Sequence, residues 1–167
     1  IVKNTLIMVA KVQGSSVMFK NTCAIAKISV KGSSVVTRHL YVSTPEAALS
    51  GAGTVDMTSD TPVFVADAID ELSLDKNSKG TRYSYIDIDA KGVTITPGAD
   101  YVFAGYMVLP AGTYHSLGFE LLATVGEESR YCLSKSPVKD ITLNAGKIRP
   151  LNVTIEEPTQ FIDLSAE

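Results

Sequence analysis

The feature that most constrains the fold is a series of short apolar runs separated by turn-forming residues. The run Met18–Gly32 reads as a strand that enters a Gly-Ser turn, and Tyr106–Tyr114 repeats this order with a Pro-Ala-Gly turn. Within the first run, residues 24–30 alternate between the two faces with the period of two that is typical of a half-buried strand. This pattern favours β-structure over helices.

The same pattern predicts further strands along the chain. Residues 6–12 and the segment from Val17 flank a Gln-Gly-Ser-Ser turn and indicate a hairpin or an interrupted strand. Tyr101–Leu109 is almost continuously apolar, which predicts a central strand buried on both faces. Residues 63–74 are ambiguous between a helical turn and two short strands. We predict an all-β fold, a β-sandwich of about seven or more strands. The other predicted strands lie at residues 35–42, 83–89, 117–123, 131–133, 141–143 and 148–155.

Length and composition indicate one globular domain. The chain has 167 residues, of which 45% are hydrophobic and 20% charged, enough to bury a core. We assign residues 1–157 to the sandwich and residues 158–167 to a C-terminal tail, whose apolar residues are Phe161, Ile162 and Leu164. A net charge of -3 argues against a nucleic-acid partner, because phosphate binding needs clustered Lys and Arg.

No motif predicts an active site, a cofactor or a metal. His39 and His115 are the only histidines, and neither has another metal ligand at a suitable spacing. The Asp87-x-Asp89 pair imitates a calcium loop, yet Lys91 and Gly98 stand where oxygen ligands are required. No Gly-x-Ser-x-Gly motif frames a serine nucleophile. We therefore expect no enzymatic activity.

The two cysteines leave two interpretations open. Cys23 and Cys132 are far apart and lack the spacing of a zinc or thioredoxin-like site. They could form one disulfide, or each could be a small buried apolar residue.

Four short motifs occur in a fixed order along the chain. They are residues 19–28 before a glycine turn, Leu49-Ser50-Gly51 at the end of a loop, the Val108–Tyr114 stretch, and the turn at residues 145–148. This order resembles the fimbrillin-like surface proteins of the Bacteroidales, which are related to type V pilus subunits. The resemblance covers roughly residues 18–156.

The resemblance implies a single Greek-key, transthyretin-like β-sandwich, exported to the cell surface, the outer membrane or a fimbrium. It implies a pilus subunit or pilus-related adhesin whose partners are other pilus subunits or further copies, joined by strand exchange. Host or bacterial surface ligands are a further class of partner, and the membrane is reached only through a lipid anchor on the precursor. In strand exchange an extended peptide adds to an open sheet edge. The tail with Phe161, Ile162 and Leu164 is the candidate connecting strand.

The chain also departs from that family. Typical pilus subunits have two sandwich domains, whereas this chain has room for one. The first segment lacks the Arg expected at the maturation cut and offers only Lys3 and Lys11. The lipid-bearing cysteine of an exported precursor has no counterpart, because Cys23 lies within a predicted strand.

A second hypothesis is a surface lipoprotein that binds glycans. Trp is absent, so tyrosines would have to supply the flat rings on which sugars stack. Tyr83 and Tyr114, expected in loops at one end of the sandwich, are the candidates for this role. Packing in the core or across strands is the alternative use of the tyrosines.

Overall fold

The computed structural model describes residues 7–32, 36–58, 60–67, 80–81, 83–87, 95–125, 128–133, 138–156 and 160–161. Within these residues the fold is all-β, as predicted. In chain order the strands are β1 (Met8–Gln13), β2 (Ser16–Asn21), β3 (Cys23–Gly32), β4 (Val36–Ser43), β5 (Ser50–Gly51), β6 (Gly53–Asp56), β7 (Val63–Ala66), β8 (Gly80–Thr81), β9 (Tyr83–Asp87), β10 (Val102–Pro110), β11 (Gly112–Tyr114), β12 (Gly118–Val125), β13 (Glu128–Leu133), β14 (Ile141–Leu143), β15 (Ile148–Ile155) and β16 (Gln160–Phe161).

One layer of the fold is a three-stranded sheet with β3 at its centre, in the order β10-β3-β15. Strand β10 runs antiparallel to β3, and β15 runs parallel to it. Ala24, Ala26, Ile28 and Val30 of β3 are fully buried, while Lys27 is exposed. The alternation predicted for this strand is confirmed, because one face packs on the core and the other meets solvent.

The other layer is a five-stranded sheet in the order β16-β13-β12-β4-β9. Phe119, Leu121 and Ala123 of β12 are fully buried, as are Leu40 and Val42 of β4. The inner faces of the two sheets meet where β10 contacts β9 and β15 contacts β12. Apolar side chains from both sheets therefore form one core, which gives the fold its sandwich-like character.

The prediction for residues 101–109 is wrong in one respect. Strand β10 lies at an edge of its sheet in the described part of the chain, and β3 takes the central place. Met107 and Leu109 are buried, but Phe103 and Tyr106 are about half exposed. An apolar run does not reveal which of its side chains face water, since aromatic residues are common on exposed sheet faces.

Four two-stranded sheets complete the described structure, and one of them is the pair β1 and β2. Strand β5 pairs with β8, and β6 forms a hairpin with β7. Strand β11 pairs with β14 at one end of the sandwich, beside a single bridge between Leu117 and Val138. This end carries Tyr114, His115 and Asp140.

The ambiguity over residues 63–74 is partly resolved. Val63–Ala66 forms β7, whereas residues 68–74 lie outside the described residues. None of the segments that the structure describes is a helix able to cross a membrane.

Candidate functional site

The first candidate surface is the hairpin formed by β1 and β2. Its register places Gln13 opposite Ser16, so Gly14 and Ser15 form a two-residue turn. Gly14 has a φ of 62°, which suits the first position of a type II′ turn. The hairpin predicted from residues 6–17 is confirmed, with strands from Met8 to Asn21.

The two faces of this hairpin have different surroundings. Lys11, Met18 and Lys20 lie on the face that lines a small cleft with Met57, Asp60 and Pro62. The Lys20 ammonium also donates a hydrogen bond to the Asp60 carbonyl oxygen. The opposite face, which we call the apolar hairpin face, consists of Met8, Ala10, Val12, Val17 and Phe19. Val12 is 69% and Phe19 64% exposed. A two-stranded hairpin is only marginally stable alone. Its exposed apolar face is therefore a surface against which another protein surface can pack.

The second candidate surface is the set of open strand edges. In the three-stranded sheet, β10 and β15 each pair with β3 on one side, and no described residue pairs with their outer sides. Strand β10 spans Val102–Pro110 and β15 spans Ile148–Ile155. Long edges with free main-chain groups can accept an additional strand.

The tail contributes a strand of its own. Gln160–Phe161 forms β16, which pairs antiparallel with β13 through Arg130↔Phe161 and Tyr131↔Gln160. The backbone of Phe161 is thus placed at the edge of the five-stranded sheet. Ile162 and Leu164, the other two residues of the candidate connecting strand, lie outside the described residues.

The two candidate tyrosines are not both available for stacking. The side chain of Tyr114 is 4% exposed, and its hydroxyl donates a hydrogen bond of 2.8 Å to the Pro110 carbonyl. Burial raises the pKa of Tyr114 to about 12, with a smaller contribution from the nearby charge of Glu46. A ring packed in the core offers no face to a sugar. The backbone of Tyr83 begins β9, and its side chain lies outside what the structure describes.

His115 forms a polar cluster at the end of the sandwich. Its Nδ1 lies 2.9 Å from Asp140 Oδ1, and its backbone N–H donates to Glu46 Oε2 at 3.0 Å. The hydrogen bond with Asp140, and then the charge of Glu46, raise the pKa of His115 above its usual range. The sequence did not indicate this cluster, because its residues are far apart in the chain. The pairing of β11 with β14 brings His115 next to Asp140, and Glu46 comes from the segment between β4 and β5.

This cluster lies beside a cleft of about 670 Å³ lined by Glu46, Phe64, Tyr114 and His115. No serine or cysteine is among the described residues that line the cleft. Thr113 lines it, but the Thr113 hydroxyl hydrogen-bonds with that of Thr142 at 3.1 Å. A catalytic triad requires a nucleophile in contact with the histidine, and the described hydrogen bonds of His115 are to the carboxylates of Asp140 and Glu46.

The structure also gives positions for the other residues considered from the sequence: the two cysteines, His39 and Asp87. Cys23 is a buried free thiol, in line with the small apolar interpretation, and Cys132 lies in β13. His39 lies in β4, half-buried and 6.1 Å from the ring of Tyr41. Asp87 ends β9, whereas Asp89 and Lys91 lie outside the described residues. Among the described residues, no group of three His, Cys, Asp or Glu could hold a metal ion.

No protein-family model matches this sequence, and no curated protein sequence matches it. The fimbrillin-like resemblance is therefore carried by the four motifs and their order.

Proposed function

We propose that this chain is a fimbrillin-like subunit or adhesin of the bacterial surface that joins its neighbours by β-strand addition. In this proposal its fold is a Greek-key, transthyretin-like sandwich without an active site. Its partners are pilus subunits or further copies of the chain, and its place is the outer membrane or a fimbrium. The alternating, two-layered strand pattern supports the fold, and the strand edges support the mode of assembly.

One observation carries the proposal: the beginning of the tail is already an edge strand. Among the described residues, β16 adds to β13 through the pairs Arg130↔Phe161 and Tyr131↔Gln160. Each residue that pairs is ordered at a cost of about 1–2 kcal/mol of backbone entropy, which offsets part of the gain from pairing. Since main-chain pairing is nearly independent of sequence, the same edge in a neighbouring copy can take the same segment. The tail is therefore suited to exchange between molecules.

The apolar hairpin face gives the proposal a second support. Met8, Val12, Val17 and Phe19 are each at least half exposed. Exposed apolar patches of this kind mark surfaces that associate with other proteins. In an assembly, this face would lose its contact with water while the strand edges make main-chain hydrogen bonds.

Proline substitutions along the tail test strand addition directly. Proline lacks the backbone N–H and disrupts pairing only where that N–H points toward the acceptor strand. We expect the variants Gln160→Pro to Leu164→Pro, measured by light scattering over a range of protein concentrations, to lose self-association at every second position. The matched alanine variants keep the backbone N–H. We expect weaker association only for those in which alanine replaces an apolar side chain.

Deleting residues 159–167 should abolish the association altogether. A wild-type chain that stays monomeric at every concentration would contradict exchange between copies. A proline series in which association does not follow a period of two would contradict strand addition through the tail.

The alternative function, glycan binding through Tyr83 and Tyr114, has weaker support. The ring of Tyr114 is buried and its hydroxyl is bonded to the backbone. No observation on the described residues favours a stacking role for this tyrosine pair.

A further inference from the structure

Three aromatic rings and two lysines share the outer face of the three-stranded sheet. Tyr101, Phe103 and Tyr106 are 43%, 44% and 47% exposed. The Phe103 and Tyr106 rings are 5.2 Å apart at an interplanar angle of 62°. The Lys27 ammonium lies 5.8 Å from the centroid of the Phe103 ring, and the Lys31 ammonium 4.7 Å from that of Tyr101. We call these five residues the aromatic face.

A β-bulge is what brings the third ring onto this face. Phe103 and Tyr106 are three residues apart, so in a regular strand their side chains would point to opposite faces. The register with β3 shifts between Phe103 and Gly105, and both Ala104 and Gly105 are buried. Phe103 therefore lies opposite Ser29, and Tyr106 lies opposite Lys27 on the same outer face. Bulges often redirect side chains at functional surfaces.

The packing beneath the bulge explains why residue 105 is a glycine. A Cβ atom added to Gly105 would lie 3.1 Å from Ile86 Cδ1, in the core between the sheets. A side chain at this position would press on Ile86, so a glycine permits the backbone to approach it closely. The core thus accommodates the bulge that groups the rings.

The charges on this face are all of one sign. The outward positions of β10, β3 and β15, together with Tyr101, include Lys27 and Lys31 but no aspartate or glutamate. Neither lysine forms an ion pair with a described residue; each is held instead over a ring. The nearest acidic residues in sequence, Asp100 and Glu156, lie beyond the outward positions at one end of the strands. The face is positive although the whole chain carries a net charge of -3.

We propose that the aromatic face binds an acidic polysaccharide. The apolar C–H faces of sugar rings pack on aromatic rings, and the two ammonium groups pair with carboxylate or sulfate groups along the polymer. Ser29 and Asn152, which are neighbours across β3 and β15, add polar groups for sugar hydroxyls. Tyr101 to Tyr106 extends over roughly 13–16 Å at the rise of a β-strand, enough for a short oligosaccharide.

An acidic glycan fits this face better than a single-stranded nucleic acid. Nucleic-acid binding uses many cations along a closely charged phosphate backbone, whereas this face has two lysines in an acidic chain. A polymer with widely spaced charges and several apolar ring faces matches three rings and two cations. This site is separate from the tail and does not depend on strand addition.

Binding to immobilised polygalacturonate and chondroitin sulfate tests the proposal, with neutral dextran and a thymidine oligonucleotide as comparisons. We expect the full chain to bind at least one acidic glycan, more weakly at higher salt, and to bind dextran and the oligonucleotide far less. Polygalacturonate carries carboxylates alone, whereas chondroitin sulfate carries carboxylates and sulfates, so binding to chondroitin sulfate alone would indicate that sulfate is required. Tyr106→Ala and Lys27→Ala should each weaken binding by about tenfold.

Two matched variants control for loss of exposed surface and of charge. Val36→Ala shortens another exposed apolar side chain, and Lys139→Ala removes another exposed lysine. Both should bind as the wild type does, as should Ile162→Pro, which is directed at the tail. Thermal unfolding of each variant verifies that it is folded.

Several results would overturn the proposal. These are no binding to either acidic glycan, equal binding to dextran, equal binding to the oligonucleotide, or unchanged binding by folded Tyr106→Ala and Lys27→Ala. A change in oligomeric state caused by Tyr106→Ala, with glycan binding intact, would assign this face to a second copy instead.

Discussion

Gly32 of β3 lies opposite Ile155 of β15 in the three-stranded sheet. Its φ is 126°, and a Cβ atom added to it would collide with the carbonyl oxygen of Ile155 on β15. Its N–H donates to the Gly98 carbonyl oxygen at 3.0 Å. Glycine alone combines this backbone conformation with the close approach of β15.

We expect Gly32→Ala to lower the free energy of unfolding by about 2–4 kcal/mol, since alanine is strained at this φ and β15 must move away from its Cβ atom. Gly98→Ala is the matched control, because no atom lies within 4 Å of the added Cβ. Urea unfolding measures the loss in the free energy of unfolding for each variant. Equal losses would show that the contact with Ile155 has no special role.

His115 gives a pH-dependent signal at the end of the sandwich. Its raised pKa stems from the hydrogen bond with Asp140 and then from the charge of Glu46. NMR titration should place the pKa of His115 above 6.5 in the wild type and closer to that usual value in Asp140→Asn. Asparagine tolerates the φ of 51° at this position, so the turn should persist. Glu46→Gln should have a smaller effect.

The sign of the linked stability effect follows from the direction of the shift. Because the pKa of His115 is raised by folding, its contribution is complete below pH 6.5 and is lost as the pH rises through the pKa of the folded state. The effect should be small, since His115 and Asp140 are both largely exposed. Identical titration curves for the wild type and Asp140→Asn would contradict the role of this hydrogen bond.

At the scale of elements, local sequence patterns predict where a strand lies better than they predict which strands pair with it. The β1–β2 hairpin and the alternation in β3 follow from turn chemistry and a period of two. The parallel pairing of β15 with β3 joins segments far apart in the chain, and no local signal reports it. The same reason explains the error for β10, whose position at an edge depends on which strands pair elsewhere.

The candidate sites likewise divide into features that a local sequence pattern reveals and features that depend on strand pairing. The apolar tail was recognisable from composition, and its first residues form an edge strand. Tyr101 and Tyr106 were two tyrosines among seven, and their exposure on one face depends on a bulge that no turn signal marks. The sequence predicts a loop position for Tyr114, but its side chain packs in the core at the end of the sandwich.

At the scale of the whole molecule, the core and the proposed association surfaces are separate. The buried apolar residues lie between the two sheets, while the open edges, the apolar hairpin face and the aromatic face are all on the outside. A neighbour can therefore attach without any change in the core. This separation favours assembly through the backbone at strand edges, with ligand recognition on a sheet face.

Hydrogen exchange measured over a range of protein concentrations tests edge-to-edge assembly most directly. Assembly by strand addition predicts that amides of β13 and β16 exchange more slowly as concentration rises, while the central strands β3 and β12 do not change. Ile162→Pro or its neighbour Phe161→Pro should remove this protection. If exchange at the edge strands is independent of concentration, or if protection appears only in the central strands, main-chain edges are not where this protein meets its partners.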